Sequence, residues 1–180
     1  MLDDDPAFAT RVRRIVTGLV TLAPPFNPAA AGWSWETHVS SDPSIDAFCM
    51  PGGKLMIGST FAARLGLDDA ELATLIAHEM GHALAGHQRA ASPDSVDDVS
   101  ERLRAAAVAF EQELQADEIG MRLAQRAGWP TAGMIRFYEK LAAADWHASF
   151  SDTHPSAAAR LARARELAAS WDAGARSASP

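Results

Sequence analysis

TLIAHEMGHALAGH, residues Thr74 to His87, decides how this chain is read. His78 and His82 stand four apart, Glu79 follows the first, and apolar residues surround all three. On an α-helix, positions i and i+4 share a face one turn apart, so both imidazoles can aim at one point. Such a pair suits zinc, which holds imidazole nitrogens at roughly 2.0–2.1 Å. Glu79, one residue along, is placed to reach water beside the metal rather than the metal itself.

This is the H-E-x-x-H arrangement of metallopeptidases, and it predicts one Zn2+ per chain. Catalytic zinc needs a third protein ligand and an open position. The metzincin pattern would require Gly at 85 and His at 88, whereas this chain has Ala85 and Gln88. His87 lies well around the helix from His82 and reads as a solvated helix-end residue. A carboxylate on another helix is the alternative, and FEQELQADEIG, residues 110–120, supplies one. Glu113 and Asp117 share a helical face. The expectation is that Glu113 binds the metal and Asp117 accepts the ring N–H of a zinc histidine. The bland alternative is a solvated acidic face of Glu111, Glu113 and Glu118. The need of H-E-x-x-H for a third ligand favours the first reading.

The bulk numbers narrow the class. A chain of 180 residues fits one domain, 1–180, with a real core. The net charge of −7, with no Lys/Arg cluster, argues against a nucleic-acid partner. The single cysteine, Cys49, excludes an internal disulfide framework and a multi-cysteine zinc site. It reads as a small buried apolar residue. No apolar run approaches the roughly 18 residues of a membrane span. The start, MLDDDPAFAT, lacks a signal-peptide pattern. The chain is therefore expected to be cytoplasmic, or to have lost a leader.

Periodicity predicts an α+β fold, mostly helical with one small sheet. The expected elements are an N-terminal helix over about 6–22 and a sheet over about 33–58. The sheet is drawn from WSWETHV, IDAFCM and KLMIG, with a turn at Pro51-Gly52-Gly53. Asp68 with Glu71 forms a capping box for the zinc helix, about 68–86. A third-ligand helix covers about 101–127. Further helices follow over about 131–172, the first capped by Thr131 and the last opened by Pro155.

H-E-M-G-H, then E-L-Q-A-D, then T-H-P, in this order, resembles the HtpX/CAAX-prenyl-protease family of gluzincin metallopeptidases, peptidase family M forty-eight. DAFCMPGGKLMIGSTF, ahead of the zinc helix, resembles that family's corresponding segment, with Asp46 where Asn is common. The resemblance covers roughly residues 5–170 and implies a zincin-like fold. It implies zinc ligation by His78, His82 and Glu113, a general base at Glu79, and a supporting role for Asp117. The lack of spans makes the chain similar to the soluble BepA/LoiP-like branch, which implies the bacterial cell envelope or periplasm.

The expected activity is zinc-dependent endopeptidase action on unfolded or misassembled protein, a quality-control role, with a protein or peptide substrate. Oligomeric state is left open. An aminopeptidase ranks below this reading. A further rival is a non-catalytic, zinc-stabilised client-binding domain. Extended substrate is expected to pair along a free strand edge at Phe48–Pro51 or Leu55–Ser59. Tyr138 is weighed as an oxyanion donor against a half-buried helix position. Met56, Met80, Met121, Trp129 and Met134 are expected mostly in the core. His154, in the matching T-H-P motif, is expected near the zinc. The favoured role is a resting ligand in the open position, ahead of an oxyanion stabiliser or a polar helix-start residue with no role in the site.

Overall fold

Pro6–Val20 forms the first helix, α1. Its start is set by the Asp5 side chain, which accepts from the Phe8 N–H, and by a proline in the first turn. Ala9, Val12, Ile15, Val16 and Leu19 recur at helical spacing and are buried. The structure is a computed structural model and describes residues 3–87, 99–144 and 157–177. Within 99–177 the side chains of residues 99, 102, 103 and 172–177 lie outside the description.

A short 3-10 turn, Pro28–Gly32, follows. Three strands come next: β1 (Glu36–Ser40), β2 (Ala47–Met50) and β3 (Lys54–Gly58). β1 starts later than the alternation of tryptophans suggested. The Trp33 N–H and the Trp35 indole both donate to Ala30 O at 3.3 Å, which ties the two rings to the preceding turn.

The strand order is β1-β3-β2, with β1 parallel and β2 antiparallel to β3. β3 is central, so Leu55–Ser59 is not a free edge. Asp3 covers part of the β1 edge, donating its N–H to Val39 O at 2.8 Å and accepting the Val39 N–H at 3.2 Å. The β2 edge differs. The Gly58 N–H donates to Asp46 O at 2.7 Å, which sets the antiparallel alternation. Ala47 and Cys49 therefore turn their main-chain groups outward, and among the described residues no backbone group pairs with them.

α2 (Ser59–Arg64) leads directly from β3. α3 (Asp69–Ala85) carries the H-E-x-x-H residues. Both halves of the Asp68/Glu71 capping box are present, and Gly86, at φ 73°, closes the helix in the left-handed region. Arg11 on α1 bonds Asp69 at 2.5 Å, and Lys140 bonds the buried Glu71 at 2.6 Å. These contacts fix the first turn of α3 between its neighbours.

α4 spans Val99–Arg126, α5 spans Thr131–Ala143 and α6 spans Ala157–Ser177. The extended residue before α5 is Pro130, with no side-chain cap bond, so Thr131 is the first helical residue rather than the cap. Pro155 lies outside the described residues. Among the described residues, no helix is long and apolar enough to cross a membrane.

α3 and α4 meet at glycines. A Cβ on Gly81 would stand 2.6 Å from Ala116 O, and one on Gly120 would stand 2.7 Å from the His78 N. No real Cβ contact is so short, so these backbones touch only because both positions lack a side chain. Gly120→Ala is expected to force the helices apart and destabilise the fold by about 1–3 kcal/mol, the usual cost of overpacking. Gly18, exposed on α1 with nothing within 4 Å, is the control. Gly18→Ala should stabilise by about 0.5–1 kcal/mol. Urea unfolding of both variants measures this; equal effects would contradict the close crossing.

Candidate metal centre

The glycine crossing sets the α4 face carrying Glu113 and Asp117 against the α3 face carrying His78 and His82. His78, Glu113 and Asp117 are buried, while His82 is half-buried. Among the described residues, His78, His82 and Glu113 form the one group able to hold a metal ion, with one ligand atom from each lying within 4.8 Å of the others.

The distances fit zinc. His82 Nε2 lies 3.2 Å from His78 Nε2 and 3.2 Å from Glu113 Oε1. His78 Nε2 lies 3.4 Å from the other oxygen, Glu113 Oε2. A tetrahedron with arms of 2.0–2.1 Å has edges of roughly 3.3–3.4 Å. Two imidazoles and a carboxylate also suit zinc chemically. Glu113 thus stands apart from the solvated acidic face: Glu111 is exposed and Glu118 pairs with Arg122 at 2.9 Å.

Asp117 backs the site. Its Oδ1 lies 2.8 Å from His78 Nδ1, accepts the Tyr138 hydroxyl at 2.8 Å and accepts an Arg160 N–H at 2.7 Å. Its Oδ2 accepts the Arg160 Nε–H at 2.8 Å. Burial pushes the Asp117 carboxyl up, but the Arg160 guanidinium and the His78 ring outweigh burial and hold it at about 2. Asp117 is therefore a permanent anion and takes the His78 Nδ1–H, leaving His78 Nε2 turned to Glu113.

Arg160, on α6, was not singled out by the sequence. It is buried and also reaches Glu113 Oε2 at 3.2 Å. Burial pushes its pKa down, but the Asp117 and Glu113 carboxylates outweigh that and raise it, so it stays cationic. Its guanidinium sits 5.7 Å from the centre of the Tyr138 ring. The first of the three arginines in SAAARLARARE looks, by sequence, like its exposed neighbours Arg163 and Arg165. Only the helical face it shares with Ala164 and Leu167, both buried, distinguishes it.

Two weaker expectations are corrected. Tyr138 is fully buried with its hydroxyl committed to Asp117, so it is neither half-buried nor free to serve an oxyanion. His87 is not a solvated helix end: its ring stands against His82, 3.0 Å between the Nδ1 atoms, and against Gln115 at 2.9 Å. For His82, burial lowers the pKa more than the Glu113 bond raises it, whereas for His78 the Asp117 and Glu113 carboxylates outweigh burial and the Arg160 charge and raise it to about 10. Met80, Met121 and Met134 are core residues, as expected. Glu79 is half-buried. Cys49, half-buried on β2, has its thiol pushed up by burial and then by the Glu79 carboxylate. His154 lies outside the described residues.

Removing Arg160 takes the guanidinium away from two buried carboxylates. Arg160→Leu is expected to cost about 3–5 kcal/mol in chelator-treated protein, the usual cost of breaking a buried ion pair. Urea unfolding reads this, and a loss below about 1 kcal/mol would show the charges to be solvated.

Comparison with known proteins adds an independent line. The model of peptidase family M48 matches residues 6–97 and 102–168. The chain is 32% identical over 145 residues to mitochondrial metalloendopeptidase OMA1 of Arabidopsis thaliana, covering 69% of this chain and 30% of that protein. It is 28% identical over 156 residues to the OMA1 of Schizosaccharomyces pombe, covering 73% and 46%. Metalloprotease LoiP of Escherichia coli is 24% identical over 159 residues, covering 74% and 62%. The chain thus spans less than two thirds of the length of each.

Proposed function

The chain belongs to peptidase family M48, and from that premise we propose that it is a zinc-dependent endopeptidase with Glu79 as its general base. The observation that carries this reading is the convergence of His78 Nε2, His82 Nε2 and the two Glu113 carboxylate oxygens, with one ligand atom from each residue within 4.8 Å of the others. These three residues would hold one zinc ion. A bound zinc supplies Lewis acidity, which acidifies water and polarises a peptide carbonyl.

The chain's own residues supply the rest. Asp117 holds the His78 ring through Nδ1, and Arg160 and Tyr138 hold Asp117. Glu79 follows His78 on the same helix. It takes a proton from water as the peptide carbonyl is attacked and returns it to the leaving amine. No Ser or Cys nucleophile is required. The Cys49 thiol, held protonated by burial and by Glu79, is unsuited to the role.

Substrate is proposed to bind as an extended strand along the open edge of β2. Ala47 and Cys49 offer outward main-chain groups there. Main-chain pairing reads backbone rather than side chains, which suits unfolded or misassembled protein as the client. A bacterial envelope location is proposed from the motif resemblance to the BepA/LoiP-like branch; the LoiP relative is from Escherichia coli, while the OMA1 relatives are named as mitochondrial. The rival reading, a non-catalytic zinc clamp, fits less well: structural zinc closes all four positions, usually with cysteines.

Glu79→Gln separates the two readings. The substitution is nearly isosteric and leaves every proposed ligand in place. Casein cleavage should fall by at least about 100-fold, the low end for a lost general base, with zinc stoichiometry unchanged at one. Undiminished cleavage would remove Glu79 from the mechanism. Absence of cleavage by the zinc-loaded wild type would favour the clamp.

A further inference from the structure

We propose that His87 and Gln115 form a hydrogen-bonded relay that fixes the ring of His82, so that each zinc histidine is positioned by its own partner. The inference rests on the metal reading above and extends it to residues outside the ligand set.

The direction of the relay follows from proton placement. His82 Nε2 faces His78 Nε2 and Glu113 Oε1, both at 3.2 Å, and must present a lone pair there to bind a metal. The ring proton of neutral His82 then sits on Nδ1. That nitrogen lies 3.0 Å from His87 Nδ1, which must accept. Neutral His87 in turn carries its proton on Nε2, which lies 2.9 Å from Gln115 Oε1, an acceptor. One consistent chain results: His82 donates to His87, and His87 donates to Gln115. Reversing any link would protonate the nitrogen that faces the metal.

The local backbone explains how a residue five places beyond His82 returns to it. Gly86 adopts the left-handed conformation, at φ 73°. The His87 N–H then donates to His82 O at 3.0 Å. The chain folds back over the last turn of α3 and brings the two rings to 5.1 Å, edge to face. Gln115 belongs to α4, two residues past Glu113, so the relay also bridges the two ligand-bearing helices.

The two partners differ in chemistry. His78, buried, has a carboxylate behind it; His82, half-buried, has a neutral imidazole. A partner of this kind holds ring orientation and tautomer without adding charge, and its loss characteristically costs about 10–100-fold in metal affinity.

The test compares wild type, His87→Ala and His87→Asn. Zinc affinity is read by chelator competition, and the melting temperature of the metal-free protein is read alongside. His87→Ala should weaken zinc about 10–100-fold while shifting the metal-free melting temperature by no more than about 3 °C. His87→Asn should recover most of the affinity, because its Oδ1 can accept from His82 Nδ1–H where His87 Nδ1 did. Unchanged affinity in His87→Ala overturns the relay, as does an Asn variant as weak as Ala. A matching collapse of the metal-free melting temperature would mark His87 as merely structural and overturn it too. Wild type that takes up no zinc would overturn the metal-site reading itself, an outcome distinguishable from failure of the relay alone.

Discussion

Everything at this site depends on two helix backbones touching. Gly81 and Gly120 bring α3 and α4 closer than any side chain would permit. The contact falls among the residues that matter: Gly120 abuts the backbone of His78, and Gly81, one residue before His82, abuts Ala116. The carboxylates of Glu113 and Asp117 are short, so they reach the imidazoles only if the helices are this near. A metal site made from two helices needs its ligand atoms fixed to a few tenths of an ångström, and rigid elements in direct contact supply that.

Close packing creates an electrostatic difficulty that the rest of the fold resolves. It buries two carboxylates, and a buried charge without a partner is costly. Arg160 resolves it from α6, reaching Asp117 with two nitrogens and Glu113 with a third. Tyr138 on α5 adds a hydroxyl. The C-terminal helices are thus part of the proposed metal centre, although they carry none of the three proposed ligands. The histidines are ordered on both flanks, His78 through Asp117 and His82 toward His87.

Much of this was legible in the sequence, and the misses have physical causes. Local signals worked where one segment decides its own structure. Asp68 and Glu71 announced the start of α3, and the short apolar run KLMIG after the Pro51-Gly52-Gly53 turn announced β3. The histidine pair was legible because helical spacing alone brings it together. Glu113 and Asp117 were reachable by asking what a histidine pair lacks. Arg160 was not reachable in this way, because its role depends on how α6 packs on α4, which no local pattern encodes. His87 was misjudged because helical spacing was extended past Gly86, where the helix has already ended. Thr131 and Trp33 were displaced by neighbours: an extended Pro130 before one, and a 3-10 turn before the other. The resemblance drawn from the motifs holds at the level of the family, and it pointed toward LoiP without anticipating OMA1.

The most direct measurement is a crystal structure of the zinc-loaded protein with anomalous data at the zinc edge. The account places a single peak about 2.0–2.2 Å from His78 Nε2, His82 Nε2 and a Glu113 oxygen, with Asp117 and His87 each against the far nitrogen of one histidine. A peak that excludes Glu113, or one that draws in His87 or Cys49 as a ligand, would contradict it.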